Sequence, residues 1–166
     1  TLLTRRTIRR YTDTPIPQEK LDKILEAGRQ SPSAANRQPW HFILITDQDI
    51  KDRLGNGIFN RHIRTAPLTI IGTYTTNDPI TKRWGHTDTI IALQTMAIAA
   101  HLQGIATCWT GDYNEDNLRR TLNIPEDAHV AAPITFANPQ KPPKHRTKRP
   151  PNHIPHTNHR QKQPNN

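Results

Sequence analysis

From Asp88 to Gln103 the chain carries Ile90, Ile91, Leu93, Met96, Ala97, Ile98, Ala99, Ala100 and Leu102. At about 3.6 residues per turn these side chains run around most of a helix circumference. A helix on a protein surface shows an apolar stripe on one side only; one that is apolar nearly all round is enclosed by protein. Asp88 can cap its start, and Gly104 can close it in the left-handed conformation. A chain of 166 residues favours one domain with one core. That leaves little material to cover such a helix, so a subunit interface is expected against part of it.

The rest of the composition is uneven. The hydrophobic fraction is 33% and the formal net charge +9, but the last thirty residues, Ala137 to Asn166, hold seven Lys or Arg, no acid, seven Pro and four His. Residues 1–136 are close to neutral. A Pro-rich basic tail buries too little apolar surface to fold alone. The expected organisation is a domain over residues 1–150 and a basic, Pro- and His-rich tail over 151–166, extended or disordered. The one cysteine, Cys108, excludes an internal disulfide and a cysteine metal cluster. It reads as a small hydrophobe rather than a nucleophile. Leu2-Leu3 is too short for a signal segment and no apolar run reaches membrane length, so a soluble cytoplasmic protein is expected.

Near the start, Arg5, Arg6, Thr7 and Arg9 place guanidinium forks beside a hydroxyl. That set suits a phosphate monoester, because arginine presents paired planar donors to its oxygens. A solvated arm, or one that binds nucleic acid nonspecifically, has the same composition. Pro17 fits the first position of a helix over Gln18–Arg29, with Leu21, Ile24, Leu25 and Gly28 on one stripe. The connection that follows is crowded with hydrogen-bonding groups: Ser31, Ser33, Asn36, Arg37 and Gln38, between Pro32 and Pro39. A polar loop held by prolines is where binding groups tend to sit.

Trp40–Thr46 reads as a strand apolar on both faces and therefore central. Asp47 caps a short helix that ends near Leu54, and 55–66 is poorly patterned. Leu68–Tyr74 is a second strand, and Thr75–Gly85 reads as a loop that carries Trp84. Ile105–Gly111 is a third strand whose final glycine lets a ligand approach the backbone. Asn114 opens a helix that Asn123 and Pro125 end; Val130–Phe136 is a fourth strand, with Pro133 demanding an edge or a bulge. There is no glycine-rich phosphate loop, no metalloprotease or esterase motif and no carboxylate pair, so hydrolytic and metal chemistry have no support in the sequence.

Taken in order, four segments resemble the FMN-dependent nitroreductases. Arg5–Tyr11 is similar to the opening R-R-S-[IV]-R-x-[FY]; Ala27–Trp40 to A-x-x-A-P-S-x-x-N-x-Q-P-W; Asp88–Ala100 to the family's central helix; and Gly104–Gly111 with Leu122–Glu126 to G-L-x-S-C-W-x-G…L-x-I-P-x. The resemblance implies an α+β fold, a mainly antiparallel sheet of four or five strands flanked by helices, in an intertwined homodimer with FMN at its interface. It implies that Arg5, Arg6, Thr7 and Arg9 hold the FMN phosphate and ribityl chain. Pro32, Ser33, Ala34, Asn36 and Gln38 touch the flavin from the partner, and Trp109, Thr110 and Gly111 line the isoalloxazine with backbone N–H groups near N5. A tail base, Lys148 or Arg149, with Arg146 less favoured, reaches the phosphate. The implied activity is electron transfer from NADH or NADPH through FMN to a nitroaromatic, quinone, activated alkene or halogenated aromatic, with flavin N5 rather than a protein side chain carrying the chemistry. The chain departs from the pattern after Ala137, where Asn138-Pro139 and Ile154–Arg160 lack the family's aromatics. The competing readings are a flavin-binding sensor without turnover and a nucleic-acid binder that uses arm and tail; the tail has no aromatics to stack on bases.

Overall fold

The computed structural model describes residues 2–142, 147–151 and 154–160. Four strands, β1 (Trp40–Ile45), β2 (Leu68–Thr75), β3 (Ala106–Trp109) and β4 (Ala128–Ala137), form one antiparallel sheet in the order β1-β2-β4-β3. Helices α1 (Gln18–Arg29) and α4 (Pro79–Leu102) cover one face; α2 (Gln48–Leu54), α3 (His62–Thr65) and α5 (Glu115–Leu122) cover the other. Strand side chains alternate between faces, so Ile70, Ile134 and Phe136 pack with Ile24, Leu93 and Met96 on the α1/α4 side, while Ile71 joins Leu54, Ile63 and Leu118 opposite. The register slips between Gly72 and Thr73, whose partners are Ala132 and Val130. The extra residue in β4 reverses the alternation. Val130 and Ala128 thereby join the α2/α5 core rather than the α4 core.

Several expectations are corrected. β1 is an edge strand, not a central one. Its apolar run has another cause: helices cover both faces, so Phe42 packs toward α4's core and Ile43 toward the opposite one, even at the sheet's margin. Pro17 is the N-cap, one position before α1, with extended backbone at ψ 138°. Pro133 lies in an interior strand; it is accommodated close to the bulge and where β3 runs out, its carbonyl accepting the N–H of Thr110 at 3.0 Å.

The larger correction concerns α4. The segment 79–85 is helix rather than loop, since Asp78 and Thr81 build a capping box and Pro79 sits in the first turn. Asp88 is therefore not a cap but lies inside the helix, buried. The end is as expected: Gly104 takes φ 77°, and Ile105 N–H returns to Ala100 O at 2.9 Å. One stripe of α4 stays uncovered, with Trp84, Ile91 and Leu102 exposed and Ile98 half-buried between them.

Candidate functional site

The arginine arm is docked rather than free. Ile8 N–H donates to Thr107 O at 3.3 Å, Thr12 N–H to Asn138 O at 3.0 Å and Gln140 N–H to Arg10 O at 3.1 Å, so the arm runs alongside β3 and the chain beyond β4. The Tyr11 hydroxyl donates to Ile8 O and shares a 2.7 Å hydrogen bond with Thr135. Burial pushes the Tyr11 phenol well above its usual range.

Arg5 and Arg6 flank a hollow of about 200 Å³ closed by Ile8, His101, Gly104 and Thr107. Arg6 Nη1 donates to Leu3 O and to its neighbour's carbonyl, at 2.7 and 2.8 Å. Arg5 Nη1 and Arg6 Nε are buried and have no hydrogen-bond partner. Buried guanidinium donors are ordinarily paired, so these two atoms are fitted for an acceptor that the chain does not supply.

Arg9 lies close enough to a second cluster for its charge to act on His62 and Cys108. His62 Nε2 lies 2.8 Å from Thr110 Oγ1 and both residues are buried. Burial first, and the nearby Arg9 guanidinium second, hold the His62 imidazole below its usual pKa. Burial raises the Cys108 thiol, which Arg9 partly offsets. Beyond Thr110, Gly111 is exposed and a Cβ there would meet nothing within 4 Å. A polar hollow of about 840 Å³ opens next to it, lined in part by Asn60, Asp112 and Tyr113. Asn60 is buried, and its Oδ1 also lacks a partner. Asn60 and His62 were not singled out from sequence, because they lie in the unpatterned 55–66 stretch and no spacing marks them.

Trp109 is half-buried with its indole N–H on Gln94 Oε1 at 3.2 Å, so its ring is tied to α4. The Thr110 amide is occupied by Pro133 O, which leaves the Gly111 backbone as the open part of that segment.

The polar loop forms a separate group. Ser33 Oγ accepts the Gln38 N–H at 2.9 Å, the Gln38 amide reaches Asn36, and Arg37 pairs with Asp78 at 2.9 Å. Ala34 N–H donates to Asp88 Oδ2 at 3.0 Å. Pro32, Asn36 and Gln38 are exposed, Ser33 and Ala34 partly so. The loop thus hangs on Asp88, whereas Thr4 of the arm meets His101 at 3.0 Å. Those anchors are about 20 Å apart along α4. Neither of the two hollows described above is lined by both the loop and the arm. Lys148 and Arg149 are exposed and line none of these hollows, and Arg146 lies outside the described residues.

A four-stranded antiparallel sheet between two helical layers, with an arginine arm docked beside β3, defines an α+β class. The Nitroreductase family model matches residues 2–61 and 56–137, and the chain belongs to the nitroreductase family. A protein of Methanothermobacter thermautotrophicus, provisionally named an NADH dehydrogenase/NAD(P)H nitroreductase, is 33% identical over 146 residues, covering 84% of this chain and 76% of that one. A similarly named Archaeoglobus fulgidus protein is 31% identical over 148 residues, covering 84% and 83%. Among solved structures, an FMN-dependent nitroreductase from Clostridium difficile shares the fold with a TM-score of 0.81 at 24% identity, covering 95% of this chain and 97% of that one.

Proposed function

We propose that the chain is a flavin-dependent oxidoreductase. It holds FMN at the interface of a homodimer and passes electrons from NADH or NADPH to a small electron-poor acceptor: a nitroaromatic, quinone, activated alkene or halogenated aromatic. The observation that carries this reading is the pair of buried, partnerless donors, Arg5 Nη1 and Arg6 Nε, beside a hollow next to α4. They fit the oxygens of a phosphate monoester, with Thr7 adding a hydroxyl. Bound FMN supplies a ring that accepts a hydride at N5 and gives up electrons to a second molecule.

The chain's own residues bind and orient. Arg9 brings a fixed positive charge to the Thr110 end of β3, where it favours negative charge that develops on a reduced ring. Gly111 leaves room for a ring at the backbone, and Gln94 fixes the Trp109 indole beside it. Pro32, Ser33, Ala34, Asn36 and Gln38 complete the site from the partner. The different anchors of the Thr4 end of the arm and of the loop on α4, about 20 Å apart, support that arrangement, as does the uncovered stripe Trp84, Ile91, Ile98 and Leu102, which gives a second copy an apolar face to cover. Lys148 or Arg149 adds charge toward the phosphate. The domain is assigned to 1–150, with 151–166 as a basic extension. No described helix is long and apolar enough to cross a membrane, and neither membrane nor nucleic acid enters the scheme.

Steady-state oxidation of NADH and NADPH with one acceptor of each class tests the proposal. Parallel double-reciprocal lines are expected, because the donor product leaves before the acceptor reacts. Absence of oxidation with every class, in protein shown to bind FMN, would leave a flavin-binding sensor.

A further inference from the structure

Asp88 is a buried carboxylate that the scheme above leaves without a role. It is 4% exposed and sits well inside α4. An ionisable group in such a place is costly unless a hydrogen bond satisfies it. Its Oδ2 accepts the N–H of Ala34, the residue that begins the one-turn 3-10 segment Ala34–Asn36 of the polar loop.

That loop has an unusual backbone. Ala35, Asn36 and Gln38 all adopt positive φ, at 48°, 53° and 49°. Left-handed geometry is unfavourable for an L-residue, and Ala35 has no polar side chain to compensate locally. Such a conformation persists only where its surroundings over-determine it. The Ser33–Gln38 clasp, the Asn36–Gln38 contact and the Arg37–Asp78 pair all lie at the surface, where water competes. The Asp88–Ala34 bond is the tie that reaches into the buried side of a helix.

We propose that Asp88 is a positioning residue for the cofactor site. Its carboxylate holds loop 33–38 in a strained shape, so that Ser33, Asn36 and Gln38 meet the FMN carried by the other subunit's arm. The inference rests on the flavin reading. What acts is the acceptor oxygen, so Asp88→Asn retains the function and Asp88→Ala loses it.

The test compares FMN dissociation constants and bound-flavin absorption spectra for the parent, Asp88→Asn, Asp88→Ala and the double variant Asp88→Ala/Ala35→Gly. Asp88→Asn should stay within about threefold of the parent, and Asp88→Ala should weaken FMN binding at least tenfold with a shifted flavin spectrum. Adding Ala35→Gly should recover at least threefold, because glycine adopts positive φ without strain and the loop then needs the tie less. A merely structural Asp88 would lower thermal stability without moving FMN affinity or the spectrum, and Ala35→Gly would rescue nothing; either result overturns the inference. So does Asp88→Asn losing as much as Asp88→Ala. If Asp88→Ala cannot be obtained folded, hydrogen exchange of the Ala34 amide in the parent decides. Exchange at least a hundredfold slower than in a free peptide is expected, and exchange near the free rate overturns the proposal. A parent that binds no FMN overturns the flavin reading instead, and the Ala34 exchange rate then judges the tie alone.

Discussion

The Tyr11 hydroxyl lies 2.7 Å from Thr135 Oγ1, across 124 residues of sequence, and so fastens the arginine arm to an interior strand. Tyr11 donates its one hydroxyl proton to Ile8 O within the arm itself and so accepts that of Thr135, whose Oγ1 also lies 3.3 Å from Cys108 O. The arm that carries the unpartnered Arg5 and Arg6 donors is thereby locked through a buried network rather than by surface charge.

Replacing Tyr11 with Phe keeps the ring but removes the hydroxyl from Ile8 O and Thr135. Leaving a buried acceptor unsatisfied costs about 1–3 kcal/mol. The variant should unfold at lower denaturant with an unchanged slope, and should bind FMN more weakly than the parent. An unchanged midpoint in chemical denaturation contradicts the network's role.

His62 gives a pH dependence of known sign. Its folded-state pKa lies below the ordinary imidazole value, with burial the main cause and Arg9 the second. The unfolded chain therefore binds more protons than the folded one below about pH 6.5, and folding stability falls as pH drops from about 7 through that region. The contribution is fully present above the unfolded pKa. His62→Gln removes the titration while keeping a side chain able to bond Thr110, so its melting temperature should fall less steeply over the same range. Identical pH slopes for the two proteins contradict the assignment.

The seam between α1 and α4 has a tight contact suited to a test. A Cβ on Gly28 would come within 2.8 Å of Met96 Cγ, in the packing between α1 and α4. Gly28→Ala gains helix propensity but overpacks this contact, and a net loss of about 1–3 kcal/mol is expected in thermal or denaturant unfolding. A stabilised variant shows that Met96 gives way freely.

The uncovered stripe of α4 predicts the assembly. Ile91→Glu with Ile98→Glu places charge on the exposed and half-exposed positions of that face. In sedimentation velocity the parent should run as a dimer and the variant as a monomer with at least tenfold weaker FMN binding. A variant that stays dimeric moves the interface elsewhere.

Much of the fold was legible because local rules and tertiary packing agree. Asp47 and Asn114 cap where their spacing demands, Gly104 and Asn123 take the left-handed positions, and α1 has the expected bounds. The failures have particular causes. Polar Asn77, Asp78 and Pro79 read as loop, yet they are the capping signal that starts α4 early, which made Asp88 look like a cap. The apolar content of β1 reports cover on both faces and not position in the sheet. At the site, the arginine arm was readable from charge. Asn60 and His62 were not, because the His62–Thr110 contact and the buried, unpartnered Asn60 Oδ1 arise from tertiary packing, which no local pattern encodes.

Mixing two defective chains tests the interfacial site most directly. Arg5→Ala/Arg6→Ala removes the arm donors, and Asn36→Ala/Gln38→Ala removes loop groups. At an FMN concentration where neither variant alone retains the cofactor, unfolding and refolding the two together should restore binding to a fraction of chains, because a mixed dimer has one site with an intact arm facing an intact loop. Recovery of up to about one quarter of the parent's bound FMN is the expected result for random pairing. A mixture that stays as empty as its components, with the parent fully loaded, places arm and loop in the same chain's site and contradicts the account.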